Sequence, residues 1–186
     1  MSDIALRCKC GHVVGVAENV SPSQVFRFIC YCADCRAFAR FLDRPDVLDS
    51  AGGTEIFQLA PARVKLLAGV DALRCVQFSA KVLRWYADCC RTPLANTAGP
   101  SFPLIAISHA FVDRGVSYDP VLGPPLCRIY ERSATGPLPA DAPPPPSIRV
   151  FMRRSVMLLR WWMRGLHRPN PFFNERYAPR AHPARP

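Results

Sequence analysis

Nine cysteines occur in the sequence, and seven of them fall in three tight groups. The first group is Cys8-Lys9-Cys10-Gly11, the second Cys30-Tyr31-Cys32-Ala33-Asp34-Cys35, and the third the adjacent pair Cys89-Cys90. Thiolates close together in a chain can converge on one soft ion, and zinc takes four such ligands tetrahedrally at about 2.3 Å. A Cys-x-Cys pair followed by glycine forms a knuckle that supplies two ligands, and a distant pair closes the site. Cys8, Cys10, Cys89 and Cys90 are therefore expected to hold one structural zinc ion. The middle group differs, because Cys30, Cys32 and Cys35 offer three thiolates from one short stretch. Three protein ligands with an exchangeable fourth position is the usual arrangement of a catalytic zinc. A thiol entering that position gives up its proton and becomes a nucleophile near neutral pH. The plainer alternative is a closed structural site completed by a Cys from elsewhere. Cys75 and Cys127 stand alone and are expected to pack as small hydrophobes.

The number of cysteines is odd and the first ten residues, MSDIALRCKC, contain no apolar leader segment. Both features point to a reducing compartment, and the expected location is cytoplasmic, without a disulfide framework. No stretch offers the ~18 uncharged apolar residues of a membrane span. The formal net charge is +10 over 186 residues, and most of it sits at one end. From Arg149 to Arg185 there are nine Arg and one acid, Glu175. Such a segment attracts acidic surfaces of any kind. No stacking-aromatic motif accompanies it, so nucleic acid is the disfavoured partner.

Positioning these groups requires a scaffold, and the pattern before residue 136 reads mainly as β. Residues 12–20, 24–30, 54–59, 64–67, 73–78, 82–86 and 104–112 alternate or run apolar as short strands do, with Gly and Pro between them. The expected fold is a folded-over, sandwich-like β-sheet domain held by zinc. Residues 33–41 follow the middle cysteines as one short helix. Residues 137–146, PLPADAPPPP, predict an extended, semi-rigid linker.

Beyond the linker lies the clearest helix, over residues 147–168, with Ser147 as its N-cap. Ile148, Phe151, Met152, Ser155, Leu159, Trp162, Met163 and Leu166 share one face; Arg149, Arg153, Arg160 and Arg164 lie opposite. The ordinary expectation packs the apolar face on the sheet. The alternatives lay it on an anionic membrane surface or against a protein partner. Residues 169–186 read as an irregular tail.

With these motifs in place, the sequence resembles the glutathione-dependent formaldehyde-activating enzyme family, which includes the centromere protein V domain. The matching stretches are Cys8-Lys9-Cys10-Gly11, Cys30-Tyr31-Cys32-Ala33-Asp34-Cys35-Arg36 and Cys90-Arg91-Thr92-Pro93-Leu94. Gly53 to Leu59 also fits that family's glycine and following strand. The resemblance implies an all-β fold with a structural zinc on the first and last cysteine motifs and a second zinc on the middle one. It implies a carbon–sulfur lyase that joins glutathione and formaldehyde as S-(hydroxymethyl)glutathione. In the family's late motif the first Cys falls here on Ala87 and a Gly falls on Arg91, leaving Cys89 as the substitute ligand. Side chains of adjacent residues tend to diverge, so Cys89 and Cys90 can share an ion only across a turn.

Two functional readings follow. In the first, the protein is a zinc-dependent carbon–sulfur lyase-like enzyme acting on a small thiol adduct, with Cys30, Cys32 and Cys35 at its centre. Arg36, next to Cys35, would steady the thiolates or receive a glutathione carboxylate, with a plain surface role as the equal alternative. In the second, a non-catalytic zinc-stabilised module presents the basic helix to a membrane or partner. His109 is read as a satisfied strand histidine rather than an acid–base group at the zinc site, and His12, after the Cys10-Gly11 knuckle, is the lesser candidate for an extra ligand.

Overall fold

The structure is a computed structural model that describes residues 1–113, 115 and 117–185. It is mainly β, with two sheets, three α-helices and short 3-10 turns among the described residues. In chain order the strands are β1 (Ser2–Arg7), β2 (Val14–Val20), β3 (Phe26–Cys30), β4 (Thr54–Leu59), β5 (Val64–Ala68), β6 (Leu73–Val76), β7 (Leu83–Ala87), β8 (Thr92–Thr97), β9 (Ile105–Ser108), β10 (Cys127–Ile129) and β11 (Pro183–Ala184). The helices are α1 (Ala33–Phe41), α2 (Asp119–Leu122) and α3 (Ile148–Met163). The small sheet runs β1-β2-β5 and the large one β10-β3-β4-β9-β8-β7-β6-β11.

Alternation marks β1 of the small sheet, and burial on both faces marks the central strands of the large one. In β1 Ile4 and Leu6 are buried between exposed neighbours, and β2 buries Gly15, Ala17 and Val20. These meet one face of the large sheet, where Phe57, Leu59, Trp85, Ala95, Ile105 and Ile107 are almost fully buried. One core joins the two sheets. Burying a side chain of this size contributes about 1.5–3 kcal/mol, so this layer is the main source of cohesion. Arg27, a buried cation on β3, is paired as burial demands. Its Nε donates to Glu55 on β4 at 2.7 Å and its Nη1 to Asp119 on α2 at 2.6 Å.

The opposite face of the large sheet follows from strand register. Cys30 pairs with Thr54, Ile56 with Ser108, Gln58 with Ala106, Ala106 with Asn96, and Asn96 with Arg84. Residues two apart share a face. Cys30, Ile56, Gln58, Ala106, Asn96 and Arg84 therefore all lie on one side, although they come from five strands.

Helices α1 and α3 lie on that side, whereas α2 meets Arg27 on the other. Ser147 caps α3 as its type predicts, accepting from the Val150 N–H at 3.4 Å. The face α3 packs inward is not the expected one. Met157 and Trp161 are buried and Val150, Arg154 and Leu158 half-buried, whereas Ile148, Phe151, Met152, Leu159, Trp162 and Met163 are exposed. Arg154 Nε donates to Gln58 Oε1 at 2.8 Å, and Arg153 donates to the carbonyl of Pro22. The proline-rich stretch is anchored, since Arg128 N–H donates to the Pro144 carbonyl at 3.0 Å. The tail is bound too. Phe172 and Phe173 are buried against Trp85, with ring centroids 5.1 and 6.0 Å away, and β11 pairs in parallel with β6. Among the described residues no helix is long and apolar enough to cross a membrane.

Candidate functional site

The topology brings the seven clustered cysteines into two groups. Cys8 and Cys10 lie on the knuckle after β1. The Gly11 N–H donates to the Cys8 carbonyl at 2.9 Å and the Val13 N–H to Cys8 Sγ at 3.2 Å. Gly11 takes a φ of +79° here, a left-handed conformation that glycine adopts without strain. Cys89 and Cys90 sit in the turn between β7 and β8. The N–H groups of Cys90 and Arg91 both donate to the Ala87 carbonyl, and Arg91 has a φ of +57°. This turn resolves the difficulty of adjacent cysteines by directing both thiols to one side.

The four Sγ atoms lie within 4.8 Å of one another. Cys8 is 3.6 Å from Cys10 and 4.0 Å from Cys89; Cys10–Cys89 is 3.3 Å and Cys89–Cys90 is 3.9 Å. Four sulfurs sharing a zinc ion stand about 3.8 Å apart, so the set fits such an ion closely. Its place in the fold is equally telling, because Cys8 and Cys10 extend from the small sheet and Cys89 and Cys90 from a hairpin of the large one. Burial raises the Cys8 and Cys89 thiols. Burial also acts to raise Cys90, but hydrogen bonds from Thr92 and from the Cys10 backbone outweigh it and bring that thiol to about 6.

The second group is built where β3 enters α1. Cys30 ends the strand, Cys32 is the N-cap and Cys35 lies in the first turn. The Cys35 N–H donates to Cys32 Sγ at 3.4 Å, and the Cys30 and Cys35 sulfurs are 3.7 Å apart. All three lie within 4.8 Å of one another, and no fourth Cys, His, Asp or Glu completes the group among the described residues. Hydrogen bonds from the Cys30 and Cys35 thiols hold Cys32 far below the ordinary thiol range, to which the Cys35 N–H and Arg84 add. The same bonding pushes Cys30 up. Cys32 is therefore the thiol of the three that most favours the thiolate.

The guanidinium beside these sulfurs is Arg84, not Arg36. Arg84 Nη1 is 3.6 Å from Cys35 Sγ, and its Nη2 is 3.6 Å from Asp34. Its Nε is buried with no partner. Arg36 instead gives its Nη1 to the carbonyls of Tyr31 at 2.6 Å and Ser133 at 2.5 Å, tying α1 to the segment after β10. His109 lies outside both groups, with Nδ1 3.1 Å from the Glu55 carbonyl, and His12 faces Asp71 at 3.8 Å. Cys75 and Cys127 are buried, and Cys75 Sγ donates to the Ala181 carbonyl.

The triad opens on a cleft of about 530 Å³. Its floor is the outer face of the large sheet, including Ile56, Gln58, Asn96 and Arg84, and Arg154 of α3 reaches in from the side. Two guanidinium groups and two amides around an apolar floor can bind a small anionic molecule and orient it toward the sulfurs. Arg84, Gln58, Asn96 and Arg154 were not singled out in the sequence. Arg84 had a signal there, as a cation inside the apolar run of β7.

The profile of a protein family described as "Family of unknown function (DUF6151)" matches residues 1–180, and the chain belongs to that family. No curated protein matches it in sequence. Among solved structures, a structural-genomics crystal structure of a Rhodobacter sphaeroides protein is similar over 61% of this chain and 91% of its own, with 16% identity and a TM-score of 0.46.

Proposed function

We propose that the protein is a zinc-dependent carbon–sulfur lyase-like enzyme, acting on a small thiol adduct at the Cys30, Cys32 and Cys35 triad. The observation that carries this reading is the three-thiol group, without a fourth protein ligand among the described residues, opening directly on a cleft. A zinc ion bound there supplies a positive centre that lowers the pKa of an incoming thiol. The chain's own residues then do the remaining work. Cys30, Cys32 and Cys35 hold the ion, Arg84 offsets the negative charge the sulfurs accumulate, and Gln58, Asn96 and Arg154 offer donors to the polar groups of the bound molecule. In the forward direction the substrate sulfur adds to the carbonyl carbon of an aldehyde. The C–S bond forms, the carbonyl π pair moves to oxygen, and the oxygen takes up a proton in place of the one the thiol released. A thiol and formaldehyde thereby give an S-hydroxymethyl adduct, and the reverse step cleaves it. The four-cysteine group is read as a structural zinc site.

The test is the exchange of formaldehyde between water and glutathione, followed by NMR line shapes with carbon-13 formaldehyde. Faster exchange with the protein, lost in Cys32→Ser while the fold persists, supports the reading. Exchange no faster than in buffer, or unchanged in Cys32→Ser, rejects it.

A further inference from the structure

Helix α3 has two apolar faces. At 3.6 residues per turn, Val150, Met157, Leu158 and Trp161 lie on the side packed against the sheet. Ile148, Phe151, Met152, Val156, Leu159, Trp162 and Met163 fill a sector of roughly 140° on the other side. That second face is in solvent: Ile148 is 73% exposed, Phe151 57% and Trp162 59%. The helix has 16 residues, so the stripe is about 24 Å long. Contiguous exposed apolar surface of this kind marks an interaction site.

The charge around the stripe says what covers it. Arg149 and Arg160 flank its edge, Arg164 lies just beyond them, and all three are exposed with no carboxylate paired to them among the described residues. Arg153 and Arg154, by contrast, are spent on pinning the helix to the sheet. Glu175 is the only acid from Arg149 to Arg185. A second copy seated on this face would bring the same cations with it and no acids to meet them. A nucleic acid would pair its phosphates with the arginines but leave the apolar stripe in water. A surface that is both anionic and able to take up apolar side chains satisfies both features.

We infer that α3 is an interfacial helix that lays this face into the headgroup region of an anionic bilayer, with the arginines on lipid phosphates. The anchor is independent of the triad chemistry. The folded body holds the helix from its opposite side, so docking requires no unfolding.

The experiment is co-sedimentation of the full chain with phosphatidylcholine vesicles, with and without phosphatidylglycerol. Trp fluorescence is followed in parallel. Of the three tryptophans, Trp85 and Trp161 are buried, so Trp162 reports contact. The expected result is binding to the anionic vesicles alone, weakened by salt, with a blue shift that Trp162→Phe removes. Phe151→Ser with Trp162→Ser weakens binding about tenfold or more; both residues are exposed, so the variant folds. Equal binding to neutral vesicles, no binding to either, or a stable dimer that the double variant dissolves would each overturn the inference.

Discussion

Arg84 Nη1 stands 3.6 Å from the Sγ of Cys35, on a strand separated from β3 by three others in the same sheet. A buried cation beside a cluster of three thiols stabilises their ionised form, and burial strengthens that effect. Arg84 is also held by Asp34 and lies over the ring of Phe38 at 5.8 Å. The sheet therefore delivers a fixed positive charge to the sulfurs through register alone.

Replacing this residue should act on the triad and spare the other site. Arg84→Met is expected to lower zinc affinity at Cys30, Cys32 and Cys35 by about 10–100-fold, the usual effect of losing a supporting partner of metal ligands. Arg84→Lys keeps the charge and should recover part of the loss. Competition with a chromophoric chelator resolves two classes of zinc and shows which one moves. An equal loss from both classes would mean that Arg84 only supports the fold.

The left-handed φ of Arg91 predicts a stabilising substitution. A non-glycine residue there is strained, and glycine removes the strain. Arg91→Gly should raise stability by about 0.5–1 kcal/mol, or Tm by about 1–4 °C for a chain of this size. The gain is reduced by the lost stacking of Arg91 on Phe41, whose centroid lies 6.0 Å away. Thermal unfolding of the metal-loaded protein measures it.

Acid should strip metal from the four-cysteine group. Protons compete with zinc for thiolates, so affinity falls as pH falls. Cys90, held at about 6, stays ionised to a lower pH than Cys8 and Cys89, which are raised. Zinc binding near neutral pH should therefore release protons, and zinc affinity should fall with every unit of acidification, more steeply below about 6 where Cys90 also takes up a proton. Equilibrium titration with a zinc indicator follows the release. Thr92→Val removes the hydroxyl beside Cys90 and should move the release to higher pH.

The packed tail gives a direct stability prediction. Phe172 is fully buried and stacks on Trp85, so Phe172→Ala should cost about 3–5 kcal/mol. Chemical denaturation checks the value. A cost below about 0.5 kcal/mol would mark the segment as a surface appendage.

Some of this was legible in the sequence and some was not, for identifiable reasons. α1 and β4 begin and end where the pattern places them, because helical spacing and alternation are both unambiguous there. β8 was missed because Pro93 and the Thr and Asn residues of TPLANT read as turn, yet the strand is buried on both faces. In α3 the longer apolar stripe was taken for the packing face, and the sheet takes the shorter one through Met157 and Trp161. Periodicity finds a face but does not say what covers it. The three cysteine groups stood out by spacing, and the expected meeting of the first with the third is achieved by a turn at Arg91, although that turn carries no glycine. Arg36 attracted attention by adjacency, whereas Arg84 reaches the sulfurs through pairing across several strands, which no local pattern reveals.

The central claim is that the triad holds an ion with a position open to a thiol. The most direct measurement is the cobalt spectrum of protein loaded with two equivalents of cobalt, for wild type and Cys32→Ser, before and after adding glutathione. The account predicts two metal ions per chain in the wild type and one in the variant, with thiolate charge-transfer bands in both and a change on adding glutathione in the wild type alone. One ion per chain in both proteins, with a spectrum that glutathione leaves unaltered, would contradict it.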